Sequence, residues 1–198
     1  MRCVVMISGR GSNLQALFNA DLPVKFSAVI SNRADARGLD VARAHGAEAV
    51  VVPHRDYATR EAFEAALADV IDRHDAGLVI LAGFMRVLTP PFVDRYALRM
   101  INIHPSLLPS FPGLDTHRRA IDAGVRIHGC TVHFVTSELD HGLIIAQAAV
   151  PVLDDDTEET LAARVLVEEH RIFPLAVKWF AEGRLRIDGN RVCVDAQQ

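Results

Sequence analysis

The segment CVVMISGRGSNLQALFNA, residues 3–20, decides how the chain begins. CVVMIS is short, apolar and rich in β-branched residues, which predicts a strand buried on both faces. SNLQALFNA follows with helical spacing, and Ser12 is expected to be its N-cap. A strand that passes directly into a helix through glycines is typical of the first unit of an α/β fold.

The same alternation continues along the chain. Further buried strands are predicted at FSAVIS, EAVVVP, LVILAG and MINIH, with helices between them. We therefore expect a Rossmann-like, mostly parallel twisted sheet with helices on both faces. After residue 113 the pattern predicts an antiparallel strand pair, a long helix bent or interrupted at Pro174, and a terminal hairpin, hence an antiparallel C-terminal portion.

Length and composition restrict the class of protein. The 198 residues, with 50% hydrophobic residues and a net charge of −4, suit a single domain, residues 1–198, and favour neither nucleic acid nor a membrane as partner. Three widely separated cysteines form no zinc or redox pattern and suggest a reducing, cytoplasmic compartment. Monomer and homodimer both remain open.

The segment SGRGSNL predicts a small anion site. Gly9 and Gly11 allow a close approach of the backbone, and the start of the helix offers unpaired N–H groups and the positive end of its dipole. The segment matches neither the dinucleotide fingerprint nor a P-loop, so it suggests a single phosphate. A plain tight turn is the alternative.

Asn102 and His104 form the second candidate site. Residues two apart on a strand point to the same side, so both project where MINIH ends. An amide can stabilise an oxygen that becomes negative, and an imidazole can exchange a proton near neutrality. The pair suits addition to a carbonyl, although both side chains could instead cap the loop. Asp140 could orient the imidazole, with His141 as a competitor.

The acidic run at residues 154–156 could suggest a metal. We expect these carboxylates to cap the following helix instead, so no metal is predicted.

The segments ISGRGSNLQAL, LAGFMRVLTPPFV, INIHPSLLPSFPGLDTHRRAIDAG, HGCTVHFVTSELDHGLIIAQ and EEHRIFPLAVKWF carry a family resemblance. Over residues 3–185 the chain resembles the folate-dependent phosphoribosylglycinamide formyltransferases. The resemblance implies the formyltransferase fold, with residues 1–100 as the nucleotide-phosphate-binding half and 101–198 as the catalytic and folate-binding half.

It also implies transfer of a formyl group from 10-formyltetrahydrofolate, a co-substrate, to glycinamide ribonucleotide in purine biosynthesis. Asn102 would bind the formyl oxygen, His104 would be the general acid/base, and Asp140 would orient His104 and assist proton transfer. The binding residues implied are Gly11, Ser12, Asn13 and Glu169 for the nucleotide, and Arg60, Met85, Arg86, Val87, Leu88, Asn102, Ser137, Glu138, Leu139 and Asp140 for the folate. His128 and His133 are expected nearby.

The chain departs from the family pattern at Arg10, His141 and Leu143, none of which is a proposed catalytic residue. Two related enzymes are the nearest rivals: a hydrolase that uses water in place of the amine, and a methionyl-tRNA formyltransferase. Both would be expected to carry an additional domain. A non-catalytic phosphometabolite-binding module would explain the glycine loop but not Asn102, His104 and Asp140.

Overall fold

A computed structural model describes residues 1–196. The chain forms two compact units, one comprising Met1–Asn102 and the other beginning at Ile103. The assignment of a nucleotide half and a catalytic half to 1–100 and 101–198 stays a prediction, as does the single domain.

The first unit alternates strands and helices. Its elements are β1 (Arg2–Ile7), α1 (Ser12–Asn19), β2 (Lys25–Ser31), α2 (Gly38–Ala44), β3 (Glu48–Val51), a 3-10 turn (His54–Asp56), α3 (Arg60–Arg73), β4 (Leu78–Leu81), α4 (Pro90–Arg95) and the start of β5 (Met100–His104). The last two residues of β5 belong to the second unit.

The strands of this unit are parallel and lie in the order β3-β2-β1-β4-β5. The side chains of the central strands are almost all buried: Val4, Val5, Met6 and Ile7 on β1 have no exposed surface, and all four residues of β4 are buried. Strands covered on both faces must be apolar throughout, which is why their sequences lack alternation. The predicted parallel sheet is confirmed.

The start of α1 differs from the expectation. Ser12 is the first helical residue, and Gly11 is the N-cap, with φ 80° and no side-chain hydrogen bond to the helix. A left-handed backbone at this point requires glycine, so the chain turns into the helix through Gly11 and not through a serine cap. The N-cap prediction for Ser12 was wrong.

The second unit carries the antiparallel strands. Its elements are α5 (Thr116–Asp122), β6 (Ile127–Phe134), β7 (Ile144–Pro151), α6 (Glu158–Ala181), β8 (Leu185–Asp188) and β9 (Arg191–Val194). β6 pairs antiparallel with β7, and β8 with β9 across a two-residue turn. The mostly parallel α/β class with an antiparallel C-terminal part is therefore confirmed.

Helix α6 tests two predictions. It continues through Pro174, so the predicted interruption was wrong, whereas the alternative of a bend stays a prediction. Proline removes one backbone hydrogen bond, but burial of Val165, Phe173 and Val177 on the apolar face of the helix offsets that loss.

Its N-cap is Thr157, in a capping box with Thr160, and not the acidic run before it. Asp156 instead forms an ion pair with Arg164 at 2.7 Å, and this guanidinium lowers the pKa of the carboxyl. Among the described residues no helix has the length and apolar character to cross a bilayer.

Gly129 on β6 leads to a first prediction. A Cβ at this position would lie 2.0 Å from the carbonyl oxygen of Ala148 and 3.0 Å from the side chain of Leu107. Because the backbone of the paired strand cannot move freely, Gly129→Ala should lower the free energy of unfolding by about 2 kcal/mol or more. Urea denaturation measures this change.

Gly77→Ala is the control, since its Cβ would lie 2.9 Å from the flexible Met1 side chain and no closer than 3.7 Å, an ordinary contact distance, to the carbonyl oxygen of Arg2. Equal stability of the two variants would contradict the account of strand packing.

Candidate active site

The glycine loop between β1 and α1 is fixed by backbone contact with α2. The N–H of Gly38 donates to the carbonyl oxygen of Gly9 at 3.1 Å. A Cβ on Gly11 would lie 2.7 Å from the Cα of Gly38, and one on Gly38 would lie 2.4 Å from the side chain of Ile7. Gly38 therefore sets the position of the loop, although it stands 27 residues further along the chain.

The first turn of α1 has the features of an anion site. No side chain caps the helix, and Ser12 and Asn13 are half-buried at its start. Backbone N–H groups at such a position attract one anionic group.

The loop after β4 presents apolar side chains to solvent. Met85 is 65% exposed and Val87 56% exposed, whereas Leu88 is buried and Arg86 is exposed. Large apolar side chains that remain in water without an evident packing partner are typical of a surface that binds a ligand. Arg60, at the first position of α3, is exposed.

Asn102 and His104 lie on β5 as predicted, separated by buried Ile103. The alternation of a strand gives the two polar side chains a common direction. Asn102 is half-buried and His104 is buried.

His104 and Asp140 are brought together by the fold of the second unit. Nδ1 of His104 lies 3.4 Å from Oδ2 of Asp140, and the two side chains are only 6% and 8% exposed. Thirty-six residues separate them, so sequence alone could not place them in contact. A polar contact shielded from water in this way is stronger than the same contact at the surface.

Asp140 is itself held by backbone and by a second imidazole. Its Oδ2 accepts the N–H of Gly113 at 2.8 Å, and its Oδ1 lies 3.8 Å from Nε2 of His133. Asp140 also adopts a left-handed backbone, with φ 52°. Such a conformation costs a non-glycine residue about 1 kcal/mol or more, which the surrounding contacts must offset.

The other nitrogen of His104 also has a partner. Nε2 lies 3.0 Å from the carbonyl oxygen of Phe111, another non-glycine residue with positive φ, 55°. A carbonyl can only accept, so Nε2 donates to it. The carbonyl of Phe111 therefore contacts the imidazole of His104, and the N–H of Gly113, two residues later, contacts the carboxylate of Asp140.

Arg119 on α5 fastens this segment. Its guanidinium donates to the carbonyl oxygens of Pro112, at 2.5 Å, and Leu114, at 3.3 Å. It also lies 5.6 Å from the centre of the Phe111 ring, a cation–π distance. Arg119 thus holds both sides of the turn that contacts His104 and Asp140.

The proline-rich loop before this turn is pinned to the strands and does not simply run over the surface. The hydroxyl of Thr131 donates to the carbonyl oxygen of Ser106 at 2.7 Å. The same hydroxyl accepts the N–H of Leu108 at 3.1 Å. Gln147 donates to the carbonyl of Leu108 at 2.9 Å. Ser106 and Leu108 are buried as a result.

The turn that precedes β7 has an exposed rim. Ser137, Glu138 and Leu139 are exposed, and Leu139 keeps 55% of its surface in water. His141 points to solvent beside Glu138, at 3.7 Å, and does not replace His104 as partner of Asp140.

Glu169 lies on α6 and is only 8% exposed. A helix carboxylate is usually solvated, so its burial is unusual.

The described residues contain no group of three or more side chains suited to a metal ion.

Four histidines of the second unit have lowered pKa values. Burial is the main cause for His117, His128, His133 and His170, because desolvation disfavours the charged ring. The pKa of His128 falls to about 4, with the neighbouring His117 as the second cause. The two rings lie edge to face, 5.3 Å apart.

Comparisons with known proteins identify the family of the chain. The family model described as formyl transferase matches residues 1–177. The chain is 48% identical over 202 residues to phosphoribosylglycinamide formyltransferase of Escherichia coli, covering 100% of this chain and 95% of that protein.

The chain belongs to the formyl transferase family. The crystal structure of glycinamide ribonucleotide transformylase 1 from Symbiobacterium toebii superposes on it with a TM-score of 0.95 and 50% identity, over 98% of this chain and 93% of the other. The trifunctional purine biosynthetic protein adenosine-3 of Bos taurus is 48% identical over 97% of this chain, which spans 20% of that protein.

This formyl transferase is an enzyme whose family implies a folate-derived formyl donor. Gly38, Phe111 and Arg119 were not predicted from the sequence as parts of the candidate site. Gly38 acts through backbone contacts with Gly9 and Gly11, and a backbone carbonyl such as that of Phe111 leaves no trace in residue type.

The pKa of His128 predicts acid sensitivity of the fold. Between pH 6.5 and 4 the unfolded chain protonates this ring, whose ordinary pKa is 6.5, and the folded chain does not. The unfolded state then binds more protons, so stability falls as pH falls. Because of this residue, the free energy of unfolding should be about 2 kcal/mol lower at pH 5 than at pH 7.5.

Urea denaturation at both pH values measures the difference. His128→Gln should reduce it, whereas His141→Gln, at an exposed position, should not. An unchanged difference in His128→Gln would contradict the assignment.

Arg119 gives a prediction for activity. Arg119→Ala should lower kcat about fivefold or more with little change in KM. The turn that contacts His104 and Asp140 would lose its hydrogen bonds to the guanidinium and would hold the two side chains less accurately. Steady-state formyl transfer measures this effect. Arg118→Ala is the matched control, because that neighbouring guanidinium pairs with Glu158 on α6. Equal kcat values for the two variants would refute the role.

Proposed function

We propose that this enzyme transfers the formyl group of 10-formyltetrahydrofolate to the amine of glycinamide ribonucleotide. The products are formylglycinamide ribonucleotide and tetrahydrofolate, and the step belongs to purine biosynthesis. The observation that carries the chemistry is the buried His104–Asp140 pair, at 3.4 Å. The names of the relatives, which share about half of the residues over nearly the whole chain, support these two substrates.

The reaction needs one new bond and one broken bond. The amine nitrogen of the nucleotide attacks the formyl carbon, and the carbonyl oxygen becomes negative in the tetrahedral intermediate. The bond from that carbon to N10 of the folate then breaks. The proton lost by the amine ends on N10, so no metal, oxidant or reductant is required.

Asn102 and His104 are assigned to the carbonyl oxygen and to proton transfer. The amide N–H of Asn102 can donate to the developing oxyanion, as donors in an oxyanion hole do. His104, on the same side of β5, supplies a proton to N10 or accepts one from the amine.

Asp140 orients the ring through Nδ1, and Gly113 fixes the carboxylate. We infer that Nε2 exchanges the Phe111 carbonyl for the reacting atoms when substrates bind, because this nitrogen is the one that faces away from Asp140.

Binding of the two substrates is assigned by position. The phosphate of the nucleotide is proposed to bind at Gly11, Ser12 and Asn13, where the α1 N-terminus lacks a side-chain cap. Glu169 is proposed to bind the ribose or glycinamide portion. The exposed apolar side chains of Met85 and Val87 suit a pterin ring, with Arg86 and Leu88 beside them.

Ser137, Glu138 and Leu139 complete the folate contacts as the rim before Asp140, and Arg60 is proposed to meet the acidic folate tail. The three cysteines Cys3, Cys130 and Cys193 are unpaired, which supports a reducing, cytoplasmic compartment.

The decisive experiment measures tetrahydrofolate release from 10-formyltetrahydrofolate with and without glycinamide ribonucleotide. Release that depends on the nucleotide, with an equal amount of formylglycinamide ribonucleotide, is expected. Release without the nucleotide would indicate a hydrolase. Absence of release under both conditions would overturn the proposal in favour of a binding module or another formyl acceptor.

Substitution of the central pair tests the assigned roles. His104→Ala and Asp140→Asn should each lower kcat about 100-fold or more, the usual contribution of a general acid or base, while ligand affinities change only a few-fold. Steady-state kinetics measures kcat, and calorimetric titration measures the ligand affinities. His141→Ala is the matched control beside Asp140 and should retain activity. Wild-type turnover in either variant would refute the role of that residue.

A further inference from the structure

Ser8 occupies the junction between β1 and the glycine loop. It is the residue immediately before Gly9 and is only 6% exposed. The family resemblance gives it no role, and it is too deeply buried to be a simple surface turn residue.

Both polar groups of Ser8 bind the loop that follows β4. Its N–H donates to the carbonyl oxygen of Gly83 at 3.0 Å. Its hydroxyl oxygen accepts the N–H of Met85 at 2.8 Å. One residue at the start of the proposed phosphate loop therefore fixes two backbone groups of the proposed pterin loop.

The hydroxyl hydrogen has a third partner. It is donated to Oδ1 of Asn32, at the end of β2, at 2.6 Å. Asn32 is 4% exposed, and its Nδ2 lies 3.1 Å from Nδ1 of His54. The acceptor is thus held in place, so the hydroxyl has a fixed direction and its lone pair points to Met85.

Loss of this hydroxyl would affect two polar groups together. The N–H of Met85 and the buried Oδ1 of Asn32 would both lose a partner, and an unpaired buried polar group is costly. Only the bond between the Ser8 N–H and the Gly83 carbonyl would then join Ser8 to the pterin loop, so the connection between the two loops would weaken.

We propose that Ser8 is a positioning residue that couples the two substrate sites. Because the Ser8 bonds fix its position relative to both loops, a shift of the glycine loop on nucleotide binding is transmitted through the Ser8 hydroxyl to the backbone at Met85. The folate then binds to a loop that the nucleotide has already placed, and it binds more tightly. This inference rests on the proposed function, which assigns the two loops to the two substrates.

Calorimetric titration with tetrahydrofolate tests the coupling, because this product cannot donate a formyl group and no turnover occurs. In the wild-type enzyme, saturating glycinamide ribonucleotide should lower the Kd of tetrahydrofolate about fivefold or more, the usual lower range for coupled sites. In Ser8→Ala the ratio of the two Kd values should approach 1. A ratio of 1 in the wild-type enzyme, or a wild-type ratio in Ser8→Ala, would overturn the proposal.

Ser27→Ala is the matched control. Ser27 lies on β2 in the same unit, and its buried hydroxyl has no hydrogen-bond partner. This variant should keep the wild-type ratio. If Ser8→Ala does not fold, Ser8→Cys replaces it, since a thiol of similar size forms only weak hydrogen bonds. A wild-type ratio in Ser8→Cys would then refute the coupling.

The two proposals fail in different ways. A wild-type enzyme that does not form formylglycinamide ribonucleotide contradicts the proposed function. An active wild-type enzyme whose Kd ratio does not respond to loss of the Ser8 hydroxyl contradicts only the coupling.

Discussion

The carboxylate of Asp140 is the centre around which the catalytic part of the second unit is arranged. It accepts a backbone N–H from Gly113 and faces the imidazoles of His104 and His133. Its two oxygens thus determine the orientation of His104 and fix the turn that carries the Phe111 carbonyl. Without this carboxylate the buried His104 ring would lose its contact at Nδ1, and the proline-rich loop would lose the hydrogen bond from Gly113.

The first unit depends on a different constraint, which is the absence of side chains. Gly11 and Gly38 meet at backbone distance, and the carbonyl of Gly9 accepts the N–H of Gly38. Polar contacts hold the His104–Asp140 pair, whereas close backbone packing holds the glycine loop. The pair tolerates changes that conserve hydrogen bonding, and the loop tolerates no added atom at Gly11 or Gly38.

The fold and much of the site could be predicted from the sequence, because both follow from local patterns. Apolar runs identified the buried strands, and the period-two geometry of a strand gave Asn102 and His104 a common direction. Contacts between distant residues could not be found this way. The pairing of Asp140 with His104 was expected only from the family resemblance. The carbonyl of Phe111 and the carbonyls that Arg119 binds belong to the backbone, so residue types do not reveal these contacts.

Two errors have a shared physical cause. Ser12 was predicted to be an N-cap, and the acidic run before Thr157 was predicted to cap α6. In each case a neighbouring residue satisfied the geometry better: a left-handed glycine in the first and a reciprocal threonine pair in the second. Residue propensities predict the turn in which a helix begins, but the backbone conformation determines which residue is the N-cap.

In the glycine loop, different residues determine the path of the backbone and the local charge. Gly11 and Gly38 determine where its backbone lies, whereas a Cβ on Gly9 would meet no atom within 4 Å and Arg10 extends into solvent. Evolution can therefore alter the electric potential at the start of α1 through residue 10 while the path of the main chain stays the same. A substitution at residue 10 would change the attraction of this loop for an anion without rebuilding the fold.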